Sequence, residues 1–301
     1  MSSTPSSTAR TTIVAGVDGS ESARRAALWA ADVAARRHHP LRLVHADDAY
    51  SFGYAGGLAP PQSYFDDRQA AGLRLLAAAE AAVREVYPDL DVGVDLRTAG
   101  PVPTLIEQTD DALLLVLGAR GTGGLRGVLV GSTAVALVAH GHCPVAVVRG
   151  ATPDASPPTR GPVVVGVDGS PTSGAAIATA FDEASWRGAE LVAVHSWLEY
   201  ATDHMLARGL DPGWAPVEQA ETELLAQRLA GWQEKYPDVV VRRVVTQGRP
   251  VERLTEQAVG AQLVVVGSRG HGGFAGMLLG STSQALIDHA TCPLLVVRPV
   301  S

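Results

Sequence analysis

The stretch Ala112-Leu-Leu-Leu-Val-Leu-Gly-Ala-Arg-Gly121, followed after nine residues by Gly131-Ser132-Thr133, decides how this chain folds. Residues 112–117 form a continuous apolar run, the pattern of a strand buried on both faces, and such strands belong to parallel sheets covered by helices. Two glycines end the run, and a Gly-Ser-Thr then opens a helical pattern over 131–140. The unit recurs as Gly267-Ser-Arg-Gly270, nine residues, Gly280-Ser281-Thr282.

Working outward, the whole chain repeats. Val14-Ala-Gly-Val-Asp-Gly-Ser20 returns as Val164-Val-Gly-Val-Asp-Gly-Ser170, and His45 at the end of one apolar run returns as His195. A period of this length is sought before any local reading, because it defines the domains. The expected organisation is a disordered start over 1–10, one domain over 11–150, a Pro- and Ser-rich linker over 151–160, and a second domain over 161–301. Within the first copy, strands are expected at 12–17, 41–46, 91–98, 112–117 and 143–149. Helices are expected at 20–37, 63–87, 102–110 and 131–140. Ala23, Ala27, Ala30 and Ala34 give the first helix its spacing. The second copy repeats this order from the strand at 162–167 to the strand at 293–298. Alternation of this kind implies two tandem doubly wound α/β domains, Rossmann-like and each with a five-stranded parallel sheet. Ligands then bind beyond the C-terminal ends of the strands, in the loops after the first and fourth.

Composition narrows the function. At 301 residues the length suits two domains, and a net charge of −7 leaves no basic footprint for nucleic acid or anionic lipid. The polar start lacks a signal-peptide core and no run of about twenty apolar residues occurs, so the expected location is the cytoplasm. Cys143 and Cys292 occupy one repeated position, which argues against a disulfide framework.

The repeated glycines carry the chemistry. A phosphate chain needs several backbone N–H groups close together, which glycine permits by removing Cβ, and a helix N-terminus adds unpaired N–H groups. Ser132 and Ser281 offer hydroxyls to the same anion, and also suit helix caps. Lys235 is the sole lysine and lies in a helical pattern, so this is neither a Walker P-loop nor, with its glycines after strand four, a dinucleotide fingerprint. Arg120, Arg126 and Arg269 are the expected charge partners.

At these residues the chain resembles the universal stress proteins, in the tandem-domain form found in actinobacteria. ATP-binding members share G-x-x-G, nine residues, G-[ST], and both loops fit that pattern. The resemblance implies the strand order 3-2-1-4-5 and ATP as ligand. It places Asp18 and Asp168 near the ribose and a Mg²⁺ carried by the phosphates. Gly16, Val17, Gly166 and Val167 would line the adenine, Ala46 and Ser196 would meet it through backbone, and Val102 and Val251 would face it. The phosphates would fall to Gly118, Gly121, Gly131, Ser132 and Thr133, with Gly267, Gly270, Gly280, Ser281 and Thr282 as counterparts. The apolar last strands are implied to pair across the domains, with homodimerisation of whole chains and further protein partners also expected.

Plainer roles stand beside these. Asp18 and Ser20 suit an Asx-turn and a helix cap. His45 and His195 are expected to be structural, and His140 with His142 to mark a solvated helix end. The aromatic loops near Tyr50–Tyr64 and Trp197–Trp214 are expected to be surface loops. No nucleophile–base pair accompanies the glycine loops. The leading expectation is therefore an ATP-binding regulator of stress or dormancy, with one site per domain. The alternatives are a weak ATPase or nucleotidyl-transferring enzyme using Asp18 and Asp168 with Mg²⁺, and a nucleotide-free scaffold.

Overall fold

Strand β1 (Thr12–Gly16) runs into a turn at Gly19, where φ is +85° and a side chain would be strained. The computed structural model describes residues 10–48, 60–121, 130–152, 155–197, 215–270 and 278–298. Ser20 Oγ accepts the Ala23 N–H at 3.1 Å and starts α1 (Glu21–Arg37), whose alanines are buried against the sheet. There follow β2 (Leu41–Ala46), α2 (Gln62–Val86), β3 (Val92–Arg97), α3 (Pro101–Gln108), β4 (Ala112–Gly118), α4 (Ser132–His140) and β5 (Val145–Val148). The second half repeats the series as β6 (Val163–Val167), α5 (Pro171–Arg187), β7 (Leu191–Trp197), α6 (Ala215–Leu229), a short α7 (Trp232–Lys235), β8 (Val241–Gln247), α8 (Pro250–Gln257), β9 (Leu263–Gly267), α9 (Ser281–His289) and β10 (Leu294–Val297).

Each half has the expected order, and the halves join into one ten-stranded sheet, β3-β2-β1-β4-β5-β10-β9-β6-β7-β8. Pairing is parallel within each half and antiparallel at the join, where Leu295 lies opposite Ala146. Short, fully apolar strands such as β5 and β10 are poor edges, and pairing them removes both at once.

The strands alternate between two buried layers. Ile13, Ala15 and Val17 pack in one layer with α1 and α5, while Val14, Leu115 and Val147 pack in the other with α4 and α9. Both layers continue across the join. On the α1 and α5 side the contact is also ionic: Arg37 donates to Glu183 at 2.8 Å, and Arg187 meets the other Glu183 oxygen at 2.8 Å, with both latter side chains almost fully buried. Arg187 also lies over the Trp29 ring, 5.3 Å from its centre.

Candidate functional site

Between β1 and β4 the strand order reverses, and a cleft of about 450 Å³ opens there in the first domain. Ten of the expected residues line it: Gly16, Val17, Asp18, Ala46, Gly118, Arg120, Gly121, Gly131, Ser132 and Thr133. Val102 lies in the first turn of α3, but Pro101 and Leu105 are the α3 residues on the wall. Arg126 lies outside the described residues, as does most of each aromatic loop.

The floor is set by close packing. A Cβ on Gly16 would stand 2.7 Å from a Leu117 methyl, and one on Gly118 2.6 Å from Ser22 Oγ. Asp18 Oδ1 accepts the Ser20 N–H at 3.0 Å, so the Asx-turn exists. Its Oδ2 lies 2.6 Å from the place a Gly121 Cβ would take. The glycine loop is tied to α1 as well: Ser20 Oγ donates to the Arg120 carbonyl, and the Arg120 N–H donates to Ser22 Oγ, both at 3.3 Å.

The second domain reproduces these relations. Gly166 packs against Leu254 and Val266, Asp168 Oδ1 accepts the Ser170 N–H at 2.9 Å, and Gly270 backs onto the Asp168 carboxylate. Thr172 Oγ1 donates to the Arg269 carbonyl, and Gly267 packs on Thr172. Val167 ends β6, Ser196 Oγ donates to the Gly248 carbonyl at 2.6 Å, and Val251 sits in the first turn of α8.

The start of α4 corrects one expectation. Gly131, not Ser132, occupies the cap position, with no side-chain cap hydrogen bond, and Gly280 does the same before Ser281 and Thr282 on α9. The Gly131 N–H donates to the Ala119 carbonyl at 2.8 Å, and Gly280 to Ser268 at the same distance. The helix thus begins with its amides uncovered by a cap side chain, the arrangement that suits an anion.

The histidines are structural anchors. His45 Nδ1 bonds the Val17 carbonyl at 2.8 Å and His195 Nδ1 the Val167 carbonyl at 2.7 Å, tying β2 to the end of β1 and β7 to the end of β6. His195 Nε2 also meets Glu221 of α6 at 2.7 Å. In the first domain α2 carries Gly72 against His45 instead.

Several wall residues escaped the sequence reading, Asp47 and Arg68 among them. Asp47 follows β2 and is nearly buried, and Arg68 reaches over from α2 to bind its carboxylate through both oxygens. That carboxylate raises the Arg68 guanidinium above its ordinary pKa. The only signal was that the strand-two run ends in Asp47-Asp48. Nothing marks Arg68 among the exposed positions of a long helix.

Fold and site together define a tandem α/β protein with a glycine-rich loop at the switch point of each half. The sequence matches the Universal stress protein family twice, over residues 9–149 and 159–298. Universal stress protein Rv2005c of Mycobacterium tuberculosis is 42% identical over 293 residues, covering 95% of this chain and 96% of the relative. Universal stress protein Rv2623 of the same organism is 40% identical over 291 residues, with the same coverage. Among solved structures, a universal stress protein from Archaeoglobus fulgidus shares the fold with a TM-score of 0.68 at 18% identity, covering 96% of this chain and 99% of that one. The chain belongs to the universal stress protein family, as a tandem of two such domains.

Proposed function

We propose that each domain holds one ATP in its switch-point cleft, and that occupancy makes the protein a nucleotide-dependent regulator in a stress response. The observation that carries this reading is Gly131. Its φ of −71° suits any residue, and a Cβ there would meet no described atom closer than 3.8 Å, so neither backbone strain nor packing among the described residues explains the glycine. Close approach of a phosphate to the first turn of α4 does. At Gly280 φ is −74°, but a Cβ would stand 3.3 Å from the Arg269 Cα, close enough that packing accounts for part of that glycine.

The rest of the wall fits the same ligand. Gly16, Val17, Leu105 and Pro101 give an apolar end for a base, while Gly121, Ser132, Thr133 and Arg120 give a polar end for phosphates. Among the described residues no group of three or more His, Cys, Asp or Glu could hold a metal ion. A Mg²⁺ would therefore be held by Asp18 or Asp168 with phosphate oxygens and waters, as that ion prefers. It would screen the phosphate charge. Holding ATP fits better than spending it: the Asp47 carboxylate on the wall, a candidate to activate a water, is engaged by Arg68 through both oxygens.

Replacing Gly131→Val with Gly280→Val tests the assignment. ATP affinity measured by calorimetry falls at least about a hundredfold, roughly 2.7 kcal/mol, while the unfolding temperature stays within a few degrees. Unchanged affinity in a folded variant rejects the loop assignment.

A further inference from the structure

The helix that opens onto each cleft is held at its other end by the opposite domain. The last four carbonyls of any helix lack intrahelical partners. At the end of α4, the Gly141 N–H takes the Leu137 carbonyl at 2.7 Å, and Arg298, just past β10 of the second domain, donates to the carbonyls of Val138 and Ala139. At the end of α9, the Ala290 N–H takes Leu286 at 2.9 Å, and Arg149, just past β5 of the first domain, donates to Ile287 at 2.7 Å and Asp288 at 2.9 Å. The exchange is reciprocal and falls on matching residues of the repeat.

We infer that Arg298 and Arg149 are positioning residues for nucleotide binding, each fixing the phosphate-loop helix of the domain to which it does not belong, so that the two clefts form one coupled unit. The inference rests on the ATP reading above. A cation at a helix C-terminus opposes the negative end of the dipole, and a helix pinned there presents its N-terminal amides in a fixed place. α4 spans nine residues from the cleft wall to this anchor, too short to absorb a shift at one end without moving the other.

The surroundings favour a link between clefts. Burial lowers the pKa of both guanidiniums, with Asp288 opposing that shift and Arg120 adding to it at Arg149, and Arg269 adding to it at Arg298. Both stay charged, because arginine starts so far above neutral pH. Arg120 and Arg269 belong to the phosphate loops.

The test uses full-length chains with one live cleft each, Gly280→Val leaving the first and Gly131→Val leaving the second. Arg298→Met lowers ATP affinity about tenfold in the first and by less than about twofold in the second, although Arg298 belongs to the second domain. Arg149→Met gives the mirror image, and Arg298→Lys restores part of the loss. Equal loss in both chains, loss in the arginine's own domain, or no loss overturns the inference. If neither single-cleft chain binds ATP, the nucleotide reading fails and the affinity coupling fails with it. Amide hydrogen exchange of the ligand-free protein separates the two cases. Arg298→Met speeds exchange along α4 but not α9, and uniform or unchanged exchange overturns the positioning role whatever the nucleotide result.

Discussion

Asp18 accepts the Ser20 N–H through Oδ1 while Oδ2 faces the Cα of Gly121, so a turn-forming role and a place on the cleft wall belong to one side chain. Such residues were legible because their demands are local: a turn needs Gly19 at positive φ, and a loop against a carboxylate needs Gly121. Arg68 and Asp47 were not legible, because their pairing depends on how α2 lies over β2, which no short spacing encodes. The cysteines follow the same local logic. Burial pushes the thiols of Cys143 and Cys292 up to about 12, so the thiolate fraction at pH 8 is on the order of one in ten thousand. Iodoacetamide at pH 8 therefore leaves both unlabelled in the native protein and labels both after denaturation, as mass spectrometry can show. Rapid native labelling contradicts the burial assigned to them.

At the scale of elements, each helix start of the first copy was legible to within one residue and each stop to within two. Ser20 caps α1 as expected, and Ser170 caps α5 in the same way, each accepting an N–H three residues on. The first helix stops differently in the two copies. His38 and Gly188 occupy the same left-handed position, with φ of 54° and 57°, and donate to the same pair of carbonyls. A side chain there is strained and glycine is not, which the second copy exploits. His38 is exposed, so its ring contributes little packing to set against that strain. His38→Gly accordingly stabilises the protein by about 1 kcal/mol, raising the unfolding temperature by roughly 2–4 °C in calorimetry. A fall in stability would mean that the ring makes contacts worth more than the strain. Ser132 was misread as a cap, because a Ser after a Gly suits that place, yet Gly131 holds the cap position and Ser132 is the first residue of α4.

For the whole molecule, the repeat and the apolar run at β4 sufficed for the doubly wound halves, because a buried parallel strand has few other homes. The single ten-stranded sheet followed from the family resemblance rather than from spacing. What holds the halves together was hidden. Glu183 and Arg187 carry no mark in the sequence, yet they are buried with Arg37 and Trp29 where α1 meets α5. Arg149 and Arg298 read as strand-end charges, yet each reaches a helix of the other half. A cleft in the first half and the matching loop and helix start in the second, joined by a continuous sheet, lead the proposal of one ATP per domain to a definite stoichiometry. The direct measurement is to purify the protein without added nucleotide, saturate it with ATP and Mg²⁺, remove the excess, denature it, and identify what is released. The account predicts about two ATP per chain, still unhydrolysed after hours of incubation. Release of no nucleotide, together with no measurable ATP affinity, would contradict it.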